Sequence, residues 1–294
     1  MPAADHGRYR YSPILSRPDY AWPGGARLAV YIAINLEHFR FGEGLGAELA
    51  PGGPQPDVLN YGWRDYGNRV GIWRLLALLD DLALPASVLV NSAIYEYCPE
   101  VMVAVRARGW EVVGHGRSNA ERQGILPEDE EEELIADTTT AIRRHEGTAP
   151  AGWLGPWISE SPVTPDLLQE AGYRYLLDWC ADDQPIWFNT RRGRILSVPY
   201  PQELNDIPAI AVRRTDAATF ADMIVDQFDE MLDQSRDQPL VFALALHPYI
   251  VGQPFRLRQL RRALRHVAGT LHPVWHSTAG AIADHAIGLG SLIV

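Results

Sequence analysis

The sequence predicts an α/β fold built on a parallel sheet, with a (β/α) barrel of about seven strands as the leading arrangement. Three observations point there. Short apolar, β-branched runs alternate with amphipathic stretches of helical period along the chain. The first such run, from Leu28 on, is apolar and β-branched apart from Asn35 and ends abruptly at Glu37 and His38, as in a strand covered on both faces. No low-complexity linker divides the 294 residues, and one large α/β domain can fill that length. Residues 1–294 are therefore read as one domain, with a Pro-, Gly-, Tyr- and Arg-rich arm over about residues 1–25.

The elements follow in order. LAVYIAINL is a buried strand that ends abruptly at Glu37 and His38. The Gly- and Pro-rich passage from Phe39 to Trp63 is long for a loop in a compact domain, and such loops act as lids or interface arms. VGIWRLLALLDDLAL has helical spacing and stops before Pro85. ASVLVNS is a second buried strand. Pro99 opens a helix that closes on Gly109. WEVVGHG is a third strand, with His115 at its exit. The acidic stretch from Pro127 to Gly147 is a long amphipathic helix whose first-turn carboxylates suit the macrodipole and whose acid run forms a solvated face. AGWLGP, YRYLLDW and RILSVPYP continue the strand series. The helix from Thr215, the strand PLVFALALHP, a basic helix and the short strand HPVWHS close it.

Composition narrows the function. A formal net charge of -11 argues against a nucleic-acid binder, because phosphate contacts need a basic face. The two cysteines, Cys98 and Cys180, are too few for a disulfide framework. The N-terminal stretch lacks the apolar core of a signal peptide, and no apolar run reaches the roughly 20 residues of a membrane helix. The expectation is a cytoplasmic protein with no membrane partner. No GxGxxG or GxxxxGK[ST] opens a helix, so no dinucleotide or P-loop site is signalled, and no GxSxG elbow supports a serine nucleophile.

What stands at the strand exits is a set: Glu37 and His38, His115, Trp153, Asp178 and His247. If the strands close on one rim, imidazoles and carboxylates meet there. Such a set has two uses, and the residues alone leave both open. It can hold a divalent metal that polarises a carbonyl. It can also set a carboxylate base and an imidazole acid across a bound amide without metal.

The order of motifs resembles the NodB-homology, or polysaccharide deacetylase, superfamily, and more closely its PuuE-like branch, which contains metal-independent allantoinases. RPDYAWPGGARLAVYIAINLEH resembles the first family motif and its lead-in. YGNRVGIWRLLALLD, GHGRSN, GWLGPWISESPVTPDLLQEAGYRYLLDW, DDQP, VPYPQELND and LHPY resemble later ones. The resemblance implies a deformed (β/α) barrel with its site at the carboxyl ends of the strands. It implies that Glu37 is the general base, His247 the general acid and His115 a site imidazole. Orthodox members hold a metal on an aspartate and two histidines four residues apart. Here His38 and His115 occupy two of those places and Asn119 the third, so the implied metal set is incomplete: no cofactor, or one weakly held zinc-type ion. The arginine of the third motif has no counterpart around Trp153. Arg69, Asn119, Trp153, Asp183 and Asp206 are the candidates for binding substrate. The implied activity is hydrolysis of a carbon–nitrogen bond in a small amide, ureide or cyclic imide. The alternatives are a metal-dependent N-deacetylase acting on N-acetyl sugars and a degenerate barrel kept as a binding module. The branch, the arm and the long loop together imply a homo-oligomer.

Overall fold

The computed structural model describes residues 6–43, 46 and 48–294. The first residues of the arm and Gly44, Leu45 and Ala47 of the long loop therefore lie outside the described part. Among the described residues nine strands form one curled, mostly parallel sheet, a half-barrel. They are β1 (Leu28–Leu36), β2 (Ser87–Val90), β3 (Glu111–Gly114), β4 (Gly152–Trp153), β5 (Tyr175–Leu176), β6 (Ile186–Thr190), β7 (Gly193–Ser197), β8 (Leu240–Leu246) and β9 (Val274–Ser277). The order is β6-β7-β5-β4-β3-β2-β1-β8, with β9 also pairing β1. β1 is the hub: β8 runs along one side of it, while β9 and β2 share the other.

Two features depart from the expectation. β6 runs antiparallel to β7 and was not anticipated; Arg191 and Arg192 bridge the pair as a tight hairpin. The passage between Phe39 and Trp63 is not all loop, because a helix begins at Val58 on an Asp57 cap whose side chain accepts from the Asn60 amide.

Side-chain alternation along β1 sorts its residues between two layers. Leu28, Val30, Ile32, Ile34 and Leu36 pack outward under the helices. Each such fully buried side chain contributes roughly 1.5–3 kcal/mol of hydrophobic stabilisation. Ala29, Tyr31 and Ala33 face inward, where small residues of β8 and of the C-terminal helix Ala279–Leu289 let the sheet curl tightly. The floor of the curl is sealed by Glu111, which accepts from Tyr175 Oη at 2.7 Å, Ser87 Oγ at 2.7 Å and the Gly280 amide at 2.9 Å. The long helix Glu128–Glu146 forms as expected and ends on Gly147 in the left-handed region, but its acid run is not wholly solvated. Glu131 is fully buried.

Candidate active site

Strand parity decides which exit residues meet. Inward positions of β1 continue to Asn35 and Glu37; the next residue, His38, falls on the opposite side. In β2, inward Leu89 leads to Asn91. In β3, Val113 leads to His115; in β8, Val241, Ala243 and Ala245 lead to His247. The register Leu36↔Val90 and Val90↔Gly114 sets Glu37, Asn91 and His115 side by side at the carboxyl ends of three neighbouring strands.

Glu37 Oε1 stands 3.5 Å from His115 Nε2 and 3.5 Å from His247 Nε2. Its other oxygen, Oε2, accepts from Tyr249 Oη at 3.2 Å. Each imidazole is fixed from behind. His115 Nδ1 meets the Leu154 carbonyl at 2.7 Å, and since a carbonyl only accepts, that nitrogen carries the proton. His247 Nδ1 lies 2.6 Å from Asp206 Oδ1, while the His247 amide donates to Asp206 Oδ2 at 2.8 Å. Asn91 ties the ring together: its Oδ1 accepts from the His38 amide, and its Nδ2 donates to Asn119 Oδ1 and to the His115 carbonyl.

The electrostatics follow from this packing. Burial alone would neutralise Glu37, but the charge of His247 beside it, with the hydrogen bonding that charge brings, outweighs it and holds the carboxyl down at about 2. Burial alone would strip His247 of its charge, but Asp206 and Glu37 outweigh it and hold the imidazole up at about 10. At neutral pH the site therefore presents a carboxylate beside an imidazolium, a base and an acid in the protonation states those roles require.

A cavity of about 280 Å³ opens on this set. Glu37, His115 and His247 form its polar end with Asn35, Asn119, Tyr200 and Asn205. Phe39, Leu154, Trp157, Ile158, Ile207 and Val212 form apolar walls. Trp157 and Ile158 have φ of 67° and 52°. Left-handed backbone is an outlier for a β-branched residue and costs on the order of 1–3 kcal/mol per position, so the surrounding structure must enforce it.

The remaining candidates separate. Asn119 lines the cavity. Asp206 is buried behind His247 and meets the cavity only through it. Trp153 has the wrong parity: it is fully buried in a second outer cluster, its Nε1 donating to Gln123 Oε1 at 3.1 Å. Arg69 projects to solvent, 73% exposed, at 4.0 Å from Asp65. Asp183 lines a different cavity, of about 460 Å³, beside Cys180. His38 packs its ring against Tyr97, with centroids 4.4 Å apart. Tyr249, Asn91, Asn35 and Tyr200 were not anticipated. Asn91 stands at a strand exit like Glu37, and Tyr249 lies two residues past His247, so both carried a usable signal.

The divalent metal that the family resemblance implies finds no complete holder. Among the described residues no group of three or more His, Cys, Asp or Glu side chains is placed to hold a metal. His38 faces away, and Asn119 Oδ1 is a weakly basic amide oxygen already taken by Asn91. An imidazole kept doubly protonated by Asp206 has no lone pair to offer.

A half-barrel with a carboxylate and an imidazolium converging at its strand ends is the scaffold of a hydrolase. Comparison with known proteins agrees. Residues 62–176 match the polysaccharide deacetylase family. A polysaccharide deacetylase-type protein of Schizosaccharomyces pombe is 26% identical over 297 residues, covering 90% of this chain and 91% of that one. A polysaccharide deacetylase-type structure from Pseudomonas aeruginosa superposes with a TM-score of 0.84 at 25% identity, covering 95% of this chain and 99% of that chain. PuuE allantoinase shares the fold with a TM-score of 0.84 at 24% identity, over 96% of this chain and 99% of that chain. Residues 62–176 thus carry a polysaccharide deacetylase (NodB) domain, the mark of hydrolases of carbon–nitrogen bonds other than peptide bonds, and the likeness to such proteins runs along most of the chain.

Proposed function

We propose that this protein hydrolyses the carbon–nitrogen bond of a small amide, ureide or cyclic imide, as in the allantoinase-like branch, with Glu37 as general base and His247 as general acid. The observation that carries the reading is Glu37 Oε1 at 3.5 Å from both imidazole Nε2 atoms at the polar end of a 280 Å³ cavity. Glu37 takes a proton from water as its oxygen attacks the carbonyl carbon. His115, whose proton sits on Nδ1 against the Leu154 carbonyl, turns an unpartnered, accepting Nε2 to the cavity and takes a hydrogen bond from the attacking water, while the His247 imidazolium meets the developing oxyanion. The tetrahedral adduct then expels the nitrogen, which takes the Nε2 proton of His247. The products are a carboxylic acid and an amine or amide. Tyr249 orients the base and Asp206 orients and charges the acid. Asn119 and the apolar wall contact the substrate.

The size of the cavity favours a compact ligand over a polymer segment, since pockets for drug-sized ligands run from about 300 Å³ upward. The second reading, N-deacetylation of an amino sugar, is favoured by the S. pombe and P. aeruginosa relatives. Steady-state turnover of succinimide, hydantoin and allantoin, set beside N-acetylglucosamine and its oligomers, separates the two. Ring opening of a cyclic imide or ureide supports the first; release of acetate alone overturns it. Exposed Phe41, Leu49, Val58 and Leu59 near the long loop support a homo-oligomer, and a monomeric mass by light scattering would refute that.

A further inference from the structure

The cavity wall that carries Trp157 and Ile158 stands in a backbone conformation that neither residue adopts readily, so something must hold it there. Its two ends are tied to a single strand exit. At the first end, the Gly155 amide donates to Asp178 Oδ1 at 2.7 Å. At the other, Glu160 Oε2 accepts from Trp179 Nε1 at 2.6 Å. Between them, Trp157 Nε1 donates to the Asn119 carbonyl at 3.1 Å, and Ser159 Oγ accepts from the Gly124 amide at 3.0 Å.

Asp178 is buried and Glu160 half-buried, and the two carboxyl groups lie close enough to act on one another. The oxygens left over after the ties above, Asp178 Oδ2 and Glu160 Oε1, are shut off from solvent and have no hydrogen-bond partner. Two carboxylate oxygens cannot satisfy one another; one proton between them satisfies both. We propose that Asp178 and Glu160 are a positioning pair, joined through a shared proton, that clamps the strained Trp157–Ile158 segment against the catalytic cavity and releases it when that proton is lost. The consequence for turnover rests on the function proposed above; the clamp itself does not.

The surroundings of the pair favour keeping the proton. From the helix Glu128–Glu146, Glu131 adds a negative charge, its Oε2 without a partner and its Oε1 accepting from Gln123 Nε2 at 2.8 Å. Arg8 of the N-terminal arm acts on Glu160 as a cation but is already paired with Asp166 at 2.7 Å, and Arg122 packs 5.7 Å from the centroid of the Trp157 ring. His6 and Tyr9 of that arm pack on the Trp179 ring, and the Tyr200 phenol lies on the cavity side. Burial, opposed by the Trp179 N–H and aided by Glu131, pushes Glu160 up to about 7. Burial and the Glu160 charge push Asp178 well up as well. In a released segment both carboxyls return to roughly 4. The closed form thus binds more protons than the open one. Closure is fully supported below about 4, weakens as pH rises from there to about 7, and levels off above.

Hydrogen exchange read by mass spectrometry on the peptide spanning residues 153–161 tests this without a substrate. In the wild-type protein, protection of the Gly155 amide, corrected for intrinsic exchange, should fall at least about tenfold between about pH 5.5 and about pH 8, within the limit of about tenfold per pH unit that linkage of one proton allows. Glu160→Gln can donate its amide N–H to Asp178 at every pH, and Asp178→Asn can donate to Glu160. Either variant should hold protection level within about threefold, because the donor no longer titrates. KM for a turned-over substrate should rise with pH in the wild type and stay level in Glu160→Gln. Wild-type protection that does not change with pH, or variants that lose protection as the wild type does, would overturn the clamp. If no substrate in the panel is hydrolysed while exchange behaves as described, the clamp stands and the proposed function fails.

Discussion

Two clusters of buried carboxyls lie on opposite faces of the same strand ends, and their chemistry is inverted. On the inner face, Glu37 and Asp206 are packed against His247, with His115 alongside. Glu37 is held down at about 2 although it is buried, while burial keeps Asp206 above its ordinary value despite the same partner. On the outer side, Asp178 and Glu160 are in contact with no imidazole among the described residues, and burial pushes both up. The same side-chain type at comparable depth keeps a negative charge in one place and a proton in the other. Depth sets the penalty for charge, and the partner decides whether that penalty is offset. One cluster is thereby fitted for proton transfer and the other for holding a wall in place.

Substitutions that remove a partner test that contrast. The largest effect should come from Glu37→Gln, which removes the base but keeps shape: kcat should fall about 10²–10⁴-fold with little change in KM, read by steady-state kinetics. Asp206→Asn should come next. Without that carboxylate, burial regains control of His247. The alkaline limb of the kcat/KM profile, set in the wild type by deprotonation near 10, should move to lower pH. An unmoved limb would mean that Asp206 does not charge the acid. Tyr249→Phe removes one hydrogen bond to Glu37 and should lower kcat by roughly five- to tenfold, the scale of about 1 kcal/mol for such a bond, without changing the alkaline limb. Smallest of all is Arg69→Ala: with its side chain 73% exposed, turnover should stay within about twofold.

Much of this was legible in the sequence. Glu37, His115 and His247 were marked by abrupt polar exits from apolar runs, and those exits are where the structure gathers a site. Exit position alone did not separate His38 from Glu37 or Trp153 from Leu154, because a one-residue step turns a strand side chain to the other face. The discriminating signal was present in the alternation of Ala29 and Ala33 with larger residues in β1, and of Ala243 and Ala245 in β8, which marks the inward face. Arg69 and Asp183 came from motif resemblance without a parity argument, and both lie outside the 280 Å³ cavity. The buried Glu131 was hidden in a run of acids whose other members are solvated, and only the packing of helix against sheet picks it out. The antiparallel β6 escaped notice because IWFNT is a short run beside a turn with no glycine until Gly193.

The decisive experiment is a titration of the histidine ring nitrogens by NMR in the substrate-free protein, with His247→Asn identifying the signal that disappears. The account requires that His247 keep both ring protons at pH 8 and lose one only near 10. A His247 that titrates near the ordinary 6.5 would leave no imidazolium beside Glu37. It would also contradict the assignment of His247 as the acid.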